Sequence, residues 1–230
     1  MTTLEMLDFA RGEFFYGALL FFIGGMSYRL VQVLGLGWRS DRTAPKKSQP
    51  LGVVVSFLRG ILILPFIPWV RGTFQRQPIV YIAGGLFHLG LFVVIFFGTA
   101  HVMVWRDLLG SVSLGFAWPS LALPLVDLLA AVAIVAMLVL LMYRLTHPVM
   151  QKLTGPADML NWLFVFLPMI TGYLLTNQAF LRYEEMFLLH QMTVNIMLIW
   201  IPLGRISHFI FYFFSRSIHG SEYAKRGAQV

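Results

Sequence analysis

The amino-acid sequence predicts an all-α integral membrane protein that folds as a bundle of five transmembrane helices. Of its 230 residues, 58% are hydrophobic and 12% are charged, and the mean hydropathy is +0.77. This composition is typical of membrane proteins and excludes an ordinary water-soluble domain. Five stretches reach the length of about 20 apolar residues that a bilayer core requires. They are too long and too uniformly apolar for the alternating strands of a β-barrel, so we expect helices.

The five expected spans follow one another without a long linker, an internal repeat or a low-complexity tract. They cover residues about 14–36, 79–105, 121–143, 159–179 and 186–214. The stretch before Phe14 is acidic and lacks the basic region of a cleavable signal, so we expect the first span to remain in the protein. We therefore interpret residues 1–230 as one membrane domain.

Segment 49–72 is apolar but does not resemble the other spans. Arg59 lies near its middle, and Pro65 and Pro68 interrupt its second half. We expect an amphipathic cytoplasmic segment that lies on the membrane surface or beneath a partner subunit. A sixth span is the alternative, and it would disturb the distribution of basic residues between the two sides of the membrane.

The basic residues predict the orientation in a cytoplasmic (inner) membrane. They are concentrated in the loop after span 1, the loop after span 3 and the C-terminal tail, whereas most acidic residues lie at the opposite ends of the spans. The positive-inside rule therefore places the N-terminus outside and the C-terminus in the cytoplasm. The net charge of +7 reflects this distribution, and we expect no nucleic-acid partner.

The chain has no cysteine. Disulfides, iron–sulfur clusters held by thiolates and covalently attached c-type haem are therefore excluded in this chain. Any redox centre that it carries must be held by histidine or methionine.

Four of the six histidines lie in two of the expected spans: His88 and His101 in span 2, His190 and His208 in span 5. A single histidine in an apolar helix is often a packed residue bonded to a carbonyl, but ionisable groups inside membranes are costly and are functional candidates. His190 and His208 are eighteen residues apart, which is about five helical turns, so a continuous helix presents both on one face, about 27 Å apart. Because spans 2 and 5 run in opposite directions, we expect an inner pair, His88 with His208, and an outer pair, His101 with His190.

Two pairs of neutral imidazoles on facing helices suit two bis-histidine b haems in the core of a helix bundle. Zinc fits less well, because it requires three or four ligands at one point. One spacing opposes the hypothesis: thirteen residues separate His88 from His101, and about 220° of helical rotation turns them towards different faces. A local distortion near Gly98 would correct part of this difference.

Two arginines are candidates for binding haem propionates, since arginine forms forked bonds with carboxylates. Arg205 precedes His208 by three residues, and Arg29 lies near the inner end of span 1. For Arg29 a side chain that only extends to the membrane interface is an equal alternative.

Asp127 lies about two turns inside the outer end of span 3. It is a candidate to accept protons from a quinol oxidised near the outer histidine pair, or else to bond a neighbouring helix. Arg106, Asp107, Tyr183 and Glu184 are further candidates for a quinone site at the same outer end, although exposed loop charges are usually only solvated.

Four segments resemble the cytochrome b (gamma) subunit of membrane-bound respiratory nitrate reductases and its relatives. They are "FFIGGMSYRL", "LFHLGLFVVIFFG", "YRLTHPVMQKLTGPAD" and "LLHQMTVNIMLIWIPLGRISH". The last matches the family's eighteen-residue gap between histidines and its arginine three residues before the second one. The resemblance implies five spans in a prokaryotic cytoplasmic membrane, two b haems, quinol oxidation near the outer haem, and electron delivery to a cytoplasmic iron–sulfur subunit.

The chain differs from the nitrate reductase subunits in two places. Gly98 occupies the position of their second ligand on span 2, so the role passes to His101 by inference. Segment 43–78 is longer and resembles the membrane subunits that pair with heterodisulfide-reductase-like proteins of sulfur metabolism. The expected partner is therefore a nitrate-reductase-beta-like or a heterodisulfide-reductase-like protein. A transporter that uses the histidines as a proton relay and a purely structural anchor are the alternative functions.

Overall fold

A computed structural model of the protein describes residues 2–35, 50–58, 73–110 and 118–225, and these residues contain helices and no strand. Five helical segments are long and apolar enough to cross a membrane, which indicates a multi-pass membrane protein and confirms the predicted number of candidate spans. They are Thr3–Gly35, Pro78–Phe97, Leu123–Thr146, Pro156–Thr176 and Tyr183–Leu203.

The first span consists of α1 (Thr3–Arg11) and α2 (Glu13–Gly35), which meet at Gly12. A capping box opens α1: the Thr2 hydroxyl accepts from the Glu5 amide, and the Glu5 carboxylate accepts from the Thr2 amide. The helix therefore begins about ten residues before the predicted boundary, because a local cap starts it where hydropathy is still low.

The second span is interrupted, so the prediction of one continuous helix over 79–105 was wrong. Helix α5 (Pro78–Phe97) ends at Gly98, whose φ of −65° and ψ of 131° are extended, and α6 (Thr99–Gly110) starts directly after it. Hydropathy does not detect this break, since glycine is compatible with an apolar stretch on both sides of it.

The third and fourth spans form the core of the bundle. They are α7 (Leu123–Thr146) and α9 (Pro156–Thr176), and the short α8 (Pro148–Leu153) connects them. A buried cluster of Ala133, Ile134, Met137 and Met169 joins the two helices. The Trp162 indole also donates to the Met137 carbonyl at 3.0 Å, which fixes their relative height.

The fifth span is interrupted as well, and the prediction of one helix over 186–214 was wrong. Helix α10 (Tyr183–Leu203) stops at Gly204, a 3₁₀ turn (Arg205–Ser207) follows, and α11 (His208–Lys225) continues the chain. Pro202 contributes to the break, because it has no amide hydrogen for the helical hydrogen bond.

The spans have a defined order of neighbours. Helix α5 packs against α7, α7 against α9, α9 against α10, and α10 against α2. Histidine side chains connect the second span region with the fifth: His88 of α5 meets His208 of α11, and His101 of α6 meets His190 of α10. We call the end of the bundle where α5 begins and α7 ends the inner end, since the positive-inside rule predicts that Arg76, Arg144 and Lys152 there face the cytoplasm.

The described part of the expected surface segment 49–72 is helix α3 (Pro50–Leu58), which packs along α11. The Ser56 hydroxyl donates to the Arg216 carbonyl at 3.0 Å, and the Phe57 and Phe213 rings are 5.8 Å apart. Residues 59–72, with Arg59, Pro65 and Pro68, lie outside the described residues. Helix α4 (Thr73–Arg76) precedes α5. The predicted position of segment 49–72 on the cytoplasmic surface of the membrane stays a prediction.

Candidate functional site

Four histidine rings form two pairs in the structure. The ring centroids of His88 and His208 are 6.2 Å apart, and those of His101 and His190 are also 6.2 Å apart. The ring planes are inclined by 83° in the inner pair and by 62° in the outer pair. These are the two pairs that the antiparallel course of spans 2 and 5 predicts.

Three of these histidines bond a backbone carbonyl through Nδ1. The Nδ1–oxygen distances are 2.7 Å for His88, 2.9 Å for His101 and 3.1 Å for His208. The acceptors are the carbonyls of Gly84, Val94 and Arg205. Because a carbonyl only accepts, Nδ1 must carry the hydrogen in these bonds, and Nε2 of the neutral ring keeps its lone pair. Each ring therefore has one nitrogen that is able to bind a metal ion.

His190 is oriented by a threonine instead of a carbonyl. Its Nδ1 lies 3.2 Å from the Thr171 hydroxyl oxygen, and that hydroxyl donates to the Leu167 carbonyl at 2.7 Å. The Thr171 oxygen thus accepts from His190 Nδ1. Space for the ring comes from Gly172, because a Cβ atom there would lie 2.9 Å from His190 Cε1. Helix α9 therefore sets both the tautomer and the position of the outer imidazole.

The separation of the rings matches metal coordination from two opposite sides. A bond from a metal ion to an imidazole nitrogen is about 2.0–2.1 Å long. Ring bonds of about 1.33 Å put each nitrogen about 1.1 Å from the ring centre, so two imidazoles that face each other across one metal ion have centroids about 6.3 Å apart. Both observed distances of 6.2 Å are compatible with this value, and they also fall within the range of ordinary edge-on ring contacts. The described residues contain no group of three or more His, Cys, Asp or Glu ligands of the kind that tetrahedral zinc requires.

The break at Gly98 explains how the thirteen-residue spacing still yields an outer pair. A helix end releases its last carbonyls, and here each of the last four carbonyls of α5 has a new donor. Val94 O accepts from the Gly98 amide and from His101, and Phe97 O accepts from the Leu121 amide. The indoles of Trp105 and Trp118 donate to the carbonyls of Ile95 and Phe96, at 2.7 Å and 2.6 Å. His101 is thereby held at the end of α5, facing His190.

The inner break at Gly204 is held from two sides. The Arg29 guanidinium of α2 donates through Nη1 to Pro202 O at 3.1 Å, to Gly204 O at 2.9 Å and to the Ser207 hydroxyl at 2.7 Å. From α9, the Asn161 side-chain oxygen accepts from the Arg205 amide at 3.3 Å. His208 follows this turn directly and is positioned by it.

The two arginines expected to bind propionates have other partners. Arg29 Nη1 bonds the inner break, as described above. Arg205 Nη1 lies 2.8 Å from an oxygen of Asp158, while the Arg205 side chain is 76% exposed. The Asp158 side chain is only 10% exposed, so solvent screens the pair mainly from the Arg205 side. The structure thus gives both side chains contacts within the protein, and propionate binding stays a prediction.

The residues expected at a quinone site are distributed over three elements. Asp127 on α7 accepts from the Thr176 hydroxyl of α9 at 3.0 Å, which matches the helix-bridging alternative. Arg106 and Asp107 are exposed on α6, and Glu184 lies in the first turn of α10. The Tyr183 ring contacts Phe187 at 5.8 Å. These contacts do not gather the expected residues into one site.

Beside Tyr183 and Glu184, an ion pair marks the start of α10. Glu185 Oε1 and Arg182 Nη2 are 2.6 Å apart, and the hydrogen bonds that Arg182 donates to this carboxylate raise the pKa of its guanidinium. Arg182 is therefore a permanent positive charge at the outer end of the bundle.

Several residues that orient the histidines were missed by sequence reasoning. They are Thr171 and Gly172 beside His190, Trp105 and Trp118 at the outer break, and Asn161 at the inner one. A polar residue within an apolar span is a signal, and Thr171 and Asn161 carry it. The tryptophans carry no such signal, because they are common at membrane interfaces.

Comparison with known proteins yields one match of full length. The chain is 29% identical over 224 residues to a protein of Nitratidesulfovibrio vulgaris, and the similarity covers 96% of each chain. That protein's name states no activity. No protein-family model and no solved structure matches the chain. Its function therefore has to be inferred from the histidine site.

Proposed function

We propose that this protein is a dihaem b cytochrome subunit of a respiratory complex in a prokaryotic cytoplasmic membrane. It transfers electrons between the quinone pool and a cytoplasmic iron–sulfur partner, most simply by oxidising quinol at the outer end of the bundle. The observation that carries this proposal is that four imidazoles form two pairs at two levels of the bundle. In each pair the ring centroids are 6.2 Å apart.

The four histidines fit haem b in three respects. The Nδ1 bonds leave Nε2 as the ligand atom, and bonding the other ring nitrogen is the usual way in which proteins orient a metal-binding histidine. The two members of each pair lie on different helices, α5 and α11 for the inner pair and α6 and α10 for the outer pair, so a group bound between them would be held from two elements. Cysteine, which covalent haem attachment needs, is absent from the sequence. Bound haem b supplies reversible one-electron transfer.

The rest of the chain provides position and charge. His101 and His190 define the outer level, and His88 and His208 define the inner level. One bundle could therefore accept electrons from a donor at one side and pass them to an acceptor at the other. Oxidation of a quinol releases two electrons and two protons, and Asp127, near the outer end of α7, is a candidate to accept a proton there. Movement of one charge across the membrane corresponds to about 2.3 kcal/mol per 100 mV of potential.

The partner is inferred from the resemblance and from charge. The inner end carries basic side chains and the α3–α11 helix pair, and it faces the cytoplasm if the positive-inside rule holds. A heterodisulfide-reductase-like or nitrate-reductase-beta-like iron–sulfur protein would receive the electrons at this end. Terminal substrate chemistry then belongs to the partner.

The proposal is tested by haem content. The purified complex should show a b-type reduced-minus-oxidised spectrum and two haems per copy of this chain. His208→Ala and His190→Ala should each remove about one haem, because each removes one of the two histidines that would hold the haem at that level. His219→Ala on the exposed face of α11 is the matched control and should retain both. A colourless complex, or histidine variants with unchanged spectra, would instead favour the proton-relay transporter or the structural anchor.

A further inference from the structure

The turn between α10 and α11 exposes backbone groups inside the bundle. The carbonyls of Pro202 and Gly204 lose the partners that a continuous helix would supply four residues later. An unpaired carbonyl in an apolar environment is strongly unfavourable. The break can therefore persist only if another part of the chain supplies hydrogen-bond donors.

Arg29 supplies these donors from the first span, more than 170 residues away in sequence. Its Nη1 group has two hydrogens and meets three oxygen atoms, so one hydrogen is shared. Bonds from a charged guanidinium are stronger than bonds between neutral groups. The Phe211 ring, 5.5 Å from the guanidinium carbon, adds a cation–π contact on α11. The arginine thus contacts the chain before, within and after the turn.

The 3₁₀ turn also sets the orientation of the His208 ring. The Arg205 amide donates to Asn161, and the Arg205 carbonyl accepts from His208 Nδ1 at 3.1 Å. When Arg29 and Asn161 fix this backbone, they also fix the acceptor that places the hydrogen on Nδ1. The His208 ring held in this way lies 6.2 Å from the His88 ring, centroid to centroid.

We propose that Arg29 is a positioning residue for His208, acting through the broken backbone of span 5. This inference rests on the proposed function, since it assigns Arg29 to the inner haem ligand. Three acceptors around the break meet the two hydrogens of Nη1, which ties this nitrogen to the turn before His208. Loss of the side chain should affect the inner pair and leave the outer pair intact.

The first experiment compares Arg29→Met, Arg29→Lys and a matched control, Arg11→Met, in the intact complex. Arg11 is also an arginine of the first span, but its guanidinium lies over the Phe187 ring near the outer end. Arg29→Met should weaken retention of the inner haem about 10- to 100-fold, the usual effect of removing a group that orients a ligand. The electron paramagnetic resonance signal of the inner low-spin centre should also shift. Arg29→Lys should recover part of both, because an ammonium group still donates to several oxygens.

A second measurement does not depend on haem. The chain has no cysteine, so Ile196→Cys on α10 and Ile218→Cys on α11 can carry spin labels without background, and both positions are exposed. The distance distribution between the labels reports the angle of the break. We expect Arg29→Met to broaden it and Arg11→Met to leave it unchanged.

The two measurements separate the inference from the proposed function. Broadened distances together with loss of the inner haem support both. Broadened distances in a protein whose parent binds no haem support the role of Arg29 in the break and overturn the proposed function. Unchanged distances and an unchanged inner spectrum in Arg29→Met overturn the inference, whatever the parent protein binds.

Discussion

The two interrupted spans each place a histidine just after a break in the helix. They differ in the donors that form hydrogen bonds with the backbone carbonyls released at the break. At the outer break, the carbonyls released at Gly98 accept from neutral groups, the indoles of Trp105 and Trp118 among them. At the inner break, the carbonyls around Gly204 accept from the charged guanidinium of Arg29. In both, a histidine follows the glycine by three or four residues and bonds a nearby carbonyl.

The difference lies in where the donors come from. The donors of the outer break are 10 and 22 residues from their acceptors, within the same hairpin. At the inner break the donor is Arg29 of the first span, 173 and 175 residues from the two carbonyls, and the fourth span adds the Asn161 oxygen as an acceptor for the Arg205 amide. The outer break is therefore mostly a product of local sequence, whereas the inner break depends on assembly of the whole bundle.

The largest effect on the free energy of unfolding is expected from Gly204→Ala at the inner break. A Cβ atom there would lie 2.5 Å from the Asn161 side-chain oxygen and 2.6 Å from the Trp200 indole nitrogen. The clash should lower the free energy of unfolding by about 1–3 kcal/mol and disturb the His88–His208 pair. Unfolding in mixed micelles, followed by tryptophan fluorescence, measures the first effect.

Gly24→Ala is the control for this substitution, because no neighbouring atom lies within 4 Å of a Cβ at that position. It should be close to neutral. A Gly204→Ala protein as stable as the parent would mean that the inner break relaxes easily and that its dependence on distant contacts is weak.

A smaller effect is expected at the outer break from Trp105→Phe. Phenylalanine keeps the stacked contact with Phe96, whose ring centroid is 5.7 Å away, but loses the donor to the Ile95 carbonyl. A single hydrogen bond inside a membrane protein contributes about 0.6–1.7 kcal/mol, and the free energy of unfolding should fall by that amount. The inner pair should keep its spectrum, and a change at both levels would contradict the separation of the two breaks.

The smallest effect is expected from Asp158→Asn, which neutralises the partner of Arg205 beside the inner break. The Arg205 side chain is 76% exposed, whereas that of Asp158 is 10% exposed, so we expect a loss at the upper end of the range of about 0.2–1 kcal/mol for exposed ion pairs. The loss should shrink further at high salt, because screening already weakens the pair. Unfolding measured at low and high ionic strength checks this. A loss larger than that of Gly204→Ala would show that the break is held mainly by Asp158.

The number of spans was predictable because apolar length is a property of the sequence alone, and the vertical matching of the histidines followed from the alternating direction of the spans. Thr171 shows the limit of such reasoning. It lies nineteen residues before His190, and no pattern along one chain reveals that two antiparallel helices bring its hydroxyl to that imidazole. Arg29 shows the same limit: its position near a membrane surface suggested a propionate or the interface, and its actual acceptors are carbonyls that only a broken helix exposes.

Composition, span length and charge distribution were properties of the sequence by itself, since the cost of placing polar groups in lipid acts on each residue separately. The level of each histidine belongs with them, because rise per residue is nearly constant in helices. The direction in which each histidine faces around its helix axis is not set by the sequence alone. It depends on where the backbone breaks, and a break inside the bundle is stable only where donors from other helices reach the freed carbonyls. The tertiary structure alone therefore decided that His101 faces His190 and that His208 faces His88.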